Sequence, residues 1–472
     1  MRQEPLWSGL ALVGALQARV SGALAREATG VSIDTRTLQP GDLFVAIRGE
    51  ARDGHEFVRA AFEKGAAAAV IDEAHALDLA GVGPLFVVKD VQRSLEFLGM
   101  RARDRTAAFI AAITGSVGKT STKDMTRLML SRFGGAHASV ASYNNQWGVP
   151  LTLARMPAST RYGVFELGMN HAGEIAGLVA QVRPHVAVIT RVAPVHLEFF
   201  DSVEGIADAK AEIFTGLEGG VAIINRDDDH YARLAEAASP YAGHIFDFGE
   251  SQGAQARLLD YRSVGDAYEI TADILGNRLV YRIGAPGKHI ALNSLAALLV
   301  AVAFDIDVAK AAEAFVEFTP TAGRGQRETL DTGDGVFTLI DESYNANPTS
   351  MRAALDLLCS TTPSPGGRRI AVLGDMLELG PQAGELHAGL AEDVERAKVD
   401  LLFTAGPLMS RLYYAAPERL RGAHRATPLE LEEAAVAAIR PGDVVMVKGS
   451  NGSRISRIVA ALKEKFAAET AS

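Results

Sequence analysis

A single cysteine, Cys359, stands in 472 residues, which excludes an internal disulfide and leaves no thiolate spacing for a metal site. It falls in an apolar helical pattern and reads as core packing. Basic runs are absent as well. Lys and Arg total 47 against 57 Asp and Glu, and the net charge of −10 argues against a nucleic-acid partner. No apolar stretch approaches the length of a membrane span, so no membrane insertion is expected. Internal repeats and low-complexity segments are missing too. What remains, 48% hydrophobic and 22% charged, is the composition of a soluble globular protein, and its length implies two to four domains.

The N-terminus needs separate treatment. Leu6–Leu16 is apolar, and Ala23-Leu24-Ala25 resembles a signal-peptidase site. Against export, Glu4 stands where a basic segment belongs, and Ser8 and two glycines interrupt the run. Leu6, Leu10, Val13, Leu16 and Val20 step at helical spacing, which predicts a docked amphipathic helix in a cytoplasmic protein.

The chain is organised around Ile113–Thr122, I-T-G-S-V-G-K-T-S-T. Ala107–Ile113 reads as a buried strand leading into it, and Lys123–Leu130 as the helix that follows. Strand, glycine loop, Lys-Thr and helix form a cradle for a nucleoside triphosphate. Backbone N–H groups of Gly115, Ser116, Val117, Gly118 and Ser121 can approach phosphates at the positive end of the helix. Lys119 reaches the β- and γ-phosphates in such a loop, and the Thr120 hydroxyl holds magnesium. The full spelling places a glycine at position 113, where Ile113 stands, so the motif is a variant.

Three segments follow from the pattern: a small α/β unit over residues 1–88, a P-loop unit over 89–318 and a third α/β unit over 319–472. In the first, Asp34, Arg36 and Asp53-Gly-His55 sit at turns after strands, as pocket residues or as ordinary turn chemistry. The second alternates strands and helices, so a mainly parallel sheet is expected, with ligands outside the carboxyl ends of its strands. Glu166 and His196 share that rim with the P-loop. After His196, Ser202 caps a helix on which Val203, Ile206, Lys210, Ile213 and Phe214 share a face. A lysine amid an apolar stripe either snorkels to water or serves the site. His289 and Asn293, one turn apart in an apolar helix, either contact a base or satisfy a loop carbonyl. In the third unit, strands at Val336–Ile340, Arg369–Leu373, Leu401–Thr404 and Val444–Val447 are followed by polar loops. In D-E-S-Y-N-A-N-P (341–348), Asn347 caps and Pro348 opens a helix.

Taken together, DTRTLQPGDLFVAIRGEARDGHEF, TGSVGKTSTK, NNQWGVPLTL, ELGMNHAGEI, HLEFFDSVEGIADAKAEIF, HIALNSLAAL, AGRGQRE, DESYNANPTSM, LGDMLELG and KGSNGSRIS resemble the Mur ligase family over essentially the whole chain. The resemblance implies three domains: an N-terminal α/β UDP-binding domain, a central P-loop ATPase domain and a C-terminal Rossmann-like domain. It implies ATP and two magnesium ions, held by Thr120, Glu166, His196 and a carbamylated Lys210, with Lys119 on the phosphates. Asn293 and His289 match adenine contacts; Arg324, Asp341, Asn345 and Asn347 match nucleotide contacts from the C-terminal domain. Asp34, Arg36 and His55 fall at the uridine nucleotide, Asn144 and Asn145 near the sugar-peptide, and Lys448 and Ser450 at the incoming amine and peptide. The family's acidic pair is here Asp341-Glu342, of which Asp341 is taken as the functional acid. The DESYNANP loop favours the family member that joins D-alanyl-D-alanine to UDP-N-acetylmuramoyl-tripeptide through an acyl phosphate, acting as a monomer. Two rivals stand beside it, a folylpolyglutamate synthase and a nucleotide-switch protein that is not an enzyme. The PGDLFVAIRGEARDGHEF stretch fits a UDP-sugar domain and speaks against the first.

Overall fold

The computed structural model describes residues 5–49, 52–140, 142–265 and 267–466. Glu4, and Glu50 and Ala51 of the N-terminal motif, lie outside the described residues. Among the described residues the chain builds three larger sheets, all mixed α/β in their surroundings.

The N-terminal sheet contains β1 (Arg19–Ser21), β2 (Gly30–Ser32), β3 (Asp42–Val45), β4 (Ala68–Asp72) and β5 (Leu85–Val88), in the order β1-β5-β4-β3-β2. All its pairs are parallel except β1 with β5. Helix α1 (Gly9–Leu16) covers one face together with α2 (Val91–Asp104). The phase of α1 corrects the sequence expectation. Leu12, Ala15 and Leu16 face the core, whereas Leu10 is 77% exposed and Val20 belongs to β1. The segment is apolar nearly all round, so periodicity could not choose the inward face.

The central sheet comprises β6 (Phe109–Thr114), β7 (Ala136–Ala138), β8 (Tyr162–Glu166), β9 (Val186–Ile189), β10 (Gly220–Asn225), β11 (Ala242–Gly249), β12 (Ala256–Val264), β13 (Ala267–Ile274) and β14 (Asn277–Ile283). Its order is β14-β13-β12-β11-β10-β9-β6-β8-β7. Pairing is parallel from β7 through β12, and the last two pairs are antiparallel. Both faces of β6 are covered, as a central parallel strand requires. Ala111 and Ile113 pack with α3 (Lys119–Leu130) and α6 (Lys288–Ala303) on one side. Ile110 and Ala112 pack on the other, with α4 (Gly148–Ala154) and α5 (Val203–Ala211). Helix α3 begins four residues before the expected Lys123, because Lys119 and Thr120 already form its first turn. That places the motif's Lys-Thr inside the helix terminus rather than in the loop.

The C-terminal sheet has β15 (Gln326–Asp331), β16 (Val336–Glu342), β17 (Arg369–Gly374), β18 (Leu401–Ala405), β19 (Arg421–Arg425) and β20 (Val444–Lys448), in the order β15-β16-β20-β17-β18-β19. The β15–β16 pair alone is antiparallel. After β16, α7 (Pro348–Ser360) opens with Pro348 and a capping box in which Asn347 accepts from the Ser350 N–H. Cys359, at its end, is half-buried against the core. Among the described residues no helix is long and apolar enough to cross a membrane.

Candidate active site

The P-loop joins β6 to α3 through two left-handed glycines, Gly115 (φ 148°) and Gly118 (φ 86°). A Cβ at Gly115 would lie 2.0 Å from Thr190 Oγ1, so only glycine permits this approach. The end of β9 pins the loop. The Thr190 hydroxyl donates to Val117 O at 2.6 Å, and the Ser116 N–H and hydroxyl donate to Arg191 O and Ala193 O at 2.6 and 3.0 Å. The Ser116 N–H, expected on a phosphate, is thus spent on Arg191 O, and the N–H groups left for an anion are those of the following residues at the positive end of α3.

Lys119 Nζ donates to Gly115 O at 2.7 Å. Burial lowers the pKa of its amine, with Glu166 opposing and Arg324 adding to the shift. Bound phosphate would supply the negative charge that this lysine lacks. Beside it, Thr120 Oγ1 donates to Glu166 Oε2 at 2.8 Å, and Asn144 Nδ2 donates to Glu166 Oε1 at 2.8 Å. The Glu166 carboxylate, almost fully buried at the end of β8, thus sits between two neutral donors. Hydroxyl, carboxylate and amide oxygens with the His196 imidazole nearby form a donor set that fits a small hard cation. His196 itself occupies a left-handed backbone position (φ 55°), and its Nδ1 lies 2.6 Å from Glu378 Oε2.

These groups face a cavity of about 420 Å3 whose opposite wall comes from the C-terminal unit. Arg324 donates to Ser142 Oγ at 2.7 Å, and its guanidinium lies 3.9 Å from the Tyr344 ring centroid. Lys448, buried, donates to Glu342 Oε2 at 3.1 Å and to Asn345 O at 3.0 Å. On the central side, His289 and Asn293 line the cavity next to the P-loop. Burial lowers the pKa of the His289 imidazole, opposed by Glu342. Asn293 is buried beside Gly118, and its Nδ2 has no hydrogen-bond partner among the described residues. A buried amide donor left open beside a P-loop fits a nucleotide that would complete it.

Ser116, Val117, Gly118, Lys119, Thr120, Ser121, Asn144, Glu166, His196, His289, Asn293, Arg324, Asn345 and Lys448 therefore come together around one cavity. Others do not. The acidic pair is arranged opposite to expectation: Glu342 lines the cavity, whereas Asp341 is buried behind it. The Asp341 carboxylate accepts from the Gly323 N–H at 2.9 Å and from the Ser343 N–H and hydroxyl at 3.1 and 2.6 Å. Asn145 accepts from the Trp147 and Gly148 N–H groups at the start of α4. Ser450 accepts from the Leu377 N–H and donates to Ala346 O. His55 is buried in a structural network: Nδ1 meets Asp53 Oδ1 at 2.6 Å, and Nε2 accepts from the Asp72 N–H at 3.1 Å. Its ring stacks on His75 with centroids 3.9 Å apart. Asp34 and Arg36 form an exposed ion pair in the turn after β2 and line no part of this cavity. A second cavity, about 820 Å3, lies along β2 and is lined by Thr29, Thr37, Gln39, Asp42, Tyr143 and Arg155.

Lys210 does not snorkel. It is only 2% exposed on α5, packed with the central core rather than lining the cavity. Its amine has no hydrogen-bond or ionic partner among the described residues. Burial first, then the charge of Lys119, push its pKa well below the usual 10.5. The two nearby acids, Asp208 and Glu212, lie on another face and are engaged elsewhere, by Arg233 and by the N–H groups of Gly173 and Ala176. Sequence reasoning missed Ser142, Arg191, Tyr344 and Glu378. Tyr344 and Glu378 both stand within stretches that carry the family resemblance, DESYNANPTSM and LGDMLELG, but nothing in Glu378's local pattern points across to His196.

Three Mur ligase profiles match the chain: the catalytic domain over residues 27–110, the middle domain over 113–301 and the glutamate ligase domain over 323–451. The UDP-N-acetylmuramoyl-tripeptide--D-alanyl-D-alanine ligase of Escherichia coli is 33% identical over 440 residues, covering 92% of this chain and 93% of that protein. The crystal structure of MurF from Acinetobacter baumannii superposes with a TM-score of 0.84 at 30% identity, covering 98% of this chain and 100% of that one. MurF ligase from Thermotoga maritima, solved in complex with ADP, shares the fold with a TM-score of 0.77 at 24% identity, over 92% and 97% of the two chains.

Proposed function

The chain belongs to the Mur ligase family, and we propose that it joins D-alanyl-D-alanine to UDP-N-acetylmuramoyl-tripeptide with consumption of ATP, in peptidoglycan precursor synthesis. The observation that carries this reading is the two-walled cavity. Phosphate-binding groups (Lys119, Thr120 and the N-terminus of α3) face cationic and carboxylate groups from another unit (Arg324, Lys448 and Glu342). A carboxylate and an amine do not condense in neutral water, because the carboxylate is a poor electrophile. The tripeptide's terminal carboxylate oxygen attacks the γ-phosphorus of ATP, ADP leaves, and an acyl phosphate forms. The free amine of D-alanyl-D-alanine then attacks the acyl carbon. The nitrogen gives up a proton, which leaves with the phosphate; the phosphate carries away the carboxylate's oxygen, and the amide is complete.

The chain's own groups serve these steps through position and charge. Lys119 and the N–H groups of the P-loop hold the phosphates. Asn293 and His289 face the base, and Arg324 with Tyr344 closes the nucleotide from the C-terminal side. Thr120, Glu166 and His196 would hold magnesium, which neutralises phosphate charge when bound. Lys210 is offered as a further anion for that site, as a carbamate: its neutral amine adds to carbon dioxide and releases a proton, giving an anion suited to a metal. Burial, the lack of a counter-ion and the neighbouring Lys119 support this, since all three disfavour an ammonium. Asp34 and Arg36 are offered as contacts of the uridine nucleotide, with His55 shaping that segment from inside. Lys448 and Glu342 are offered for the amine and peptide. Ser450, Asn145 and Asp341 act by holding the loops they bond.

A division into residues 1–88, 89–318 and 319–472 assigns each task its own sheet. One chain supplies both walls of the cavity, so a monomer suffices. ATP and a UDP-linked substrate place the reaction in the cytoplasm. The reading is tested by labelling the tripeptide's terminal carboxylate with 18O. One labelled oxygen in each released phosphate is expected, and unlabelled phosphate accompanying amide product would refute the acyl phosphate.

A further inference from the structure

The loop after β17, Asp375–Gly380, belongs to the C-terminal unit but ends against the central one. It is fixed at three points on its own side. The Met376 N–H donates to His387 Nε2 at 3.0 Å, the Leu377 N–H to Ser450 Oγ at 3.0 Å, and the Ser450 N–H to Asp375 O at 3.0 Å. From that base Glu378, in a left-handed backbone position (φ 62°), reaches His196, itself left-handed (φ 55°). Beside the 2.6 Å side-chain contact, the Glu198 N–H donates to Glu378 O at 3.3 Å. Two non-glycine residues in a region that disfavours them face each other across the junction, and such strain persists where surrounding contacts over-determine it.

The chemistry of the contact fixes the imidazole. An ionised carboxylate only accepts, so Nδ1 carries a proton toward Glu378, and in the neutral ring this leaves Nε2 with the lone pair. Among the described residues Glu378 is the hydrogen-bond partner of this side chain, and His196's own loop supplies none. We propose that Glu378 is a positioning residue: from the C-terminal unit it orients His196 and fixes its tautomer, so that this metal ligand is set when the two units meet. The inference rests on the reading of His196 as a metal ligand. It makes assembly of the metal site depend on closure and keeps the site incomplete while the C-terminal unit is away.

The test uses the full chain with Mn2+ and ADP as probes, reading Mn2+ affinity and the spin-echo signature of directly coordinated imidazole nitrogen. Folding and ADP affinity are checked for each variant. Glu378→Ala is expected to weaken Mn2+ about 10- to 100-fold and to lose the nitrogen signature. Glu378→Gln, whose amide oxygen can still accept from Nδ1, should retain part of both. His196→Ala should match Glu378→Ala, and the double variant should be no worse than His196→Ala, because Glu378 acts through the imidazole. If Glu378→Ala keeps full affinity and signature while His196→Ala loses them, the positioning role is refuted and the ligand reading stands. If His196→Ala changes neither, the ligand reading fails first. A double variant far below both singles would show Glu378 acting independently, which also overturns the inference.

Discussion

Lys210→Met removes a buried amine and keeps its length, so it isolates the cost of that nitrogen. In the wild type the amine is buried on α5 without a partner, close to Lys119, and its folded pKa lies well below the ordinary lysine value of 10.5. The unfolded chain therefore binds more protons than the folded one at any pH between those two values. By linkage, stability from this group rises with pH across that window and is lost as pH falls, at up to about 1.4 kcal/mol per pH unit for one proton. Lys210→Met should lack this slope and be more stable than wild type in bicarbonate-free buffer at neutral pH. Bicarbonate should stabilise wild type by forming the carbamate and leave Lys210→Met unchanged. Because a three-unit chain need not unfold in one step, the assay is amide hydrogen exchange of residues 203–211, followed from pH 7 to 9 with and without bicarbonate. Parallel pH curves for the two proteins would refute the argument from burial. A bicarbonate effect of equal size in both would refute the carbamate. Lys210→Ala should also ligate very slowly, and a small carboxylic acid should restore part of its rate while leaving wild type unstimulated.

Lys119→Ala should fold normally and lose about 100-fold or more in turnover, since the residue stabilises charge rather than packing; steady-state kinetics on the folded variant decides. The acidic pair separates fold from chemistry. Asp341→Ala leaves the Gly323 and Ser343 N–H groups without their acceptor and should cost about 2–4 kcal/mol in denaturant unfolding. Glu342→Gln keeps an acceptor for the buried Lys448 but removes its counter-charge, so some stability is lost too, while kcat/KM of the folded variant falls at least about tenfold, roughly 1.4 kcal/mol. Gly118→Ala forces alanine to φ 86° and a Cβ to 3.0 Å from the Asn293 amide. Left-handed strain of about 1–2 kcal/mol, spent at the phosphate loop, should appear as an ATP KM raised about tenfold with the sheet intact.

Features whose cause is local were legible in the sequence. The P-loop turn, the Ser202 cap and the Asn347–Pro348 helix start depend on neighbours within a few residues, and each stands where the pattern puts it. Lys210 was legible because a lysine on an apolar stripe is anomalous by itself. Features decided by distant partners were not. Leu10 and Leu12 are equally apolar, and only the packing of α1 on α2 selects the second. Asp341 and Glu342 alternate along β16, so their faces are opposite, but which face meets the cavity depends on β20 and the Gly323 turn. The β12–β14 meander carries exposed polar residues on its outer face and gave no helical alternation to follow. His55 and Ser450 entered as site residues through the family resemblance, because polar residues after strands are common to pockets and to turns and pattern alone does not divide them. In the structure the hydrogen bonds of both are made inside the fold.

The central claim is that one cavity couples ATP to amide formation between a carboxylate and an amine. Its most direct measurement combines phosphate release and product mass for the full chain supplied with ATP, magnesium, UDP-N-acetylmuramoyl-tripeptide and D-alanyl-D-alanine, omitting each in turn. The account predicts one phosphate per molecule of product, a product heavier than the tripeptide substrate by the dipeptide less one water, and no amide when any component is left out. Phosphate released at the same rate without the carboxylate–amine pair, and no product of that mass, would contradict it and leave a nucleotide hydrolase in its place.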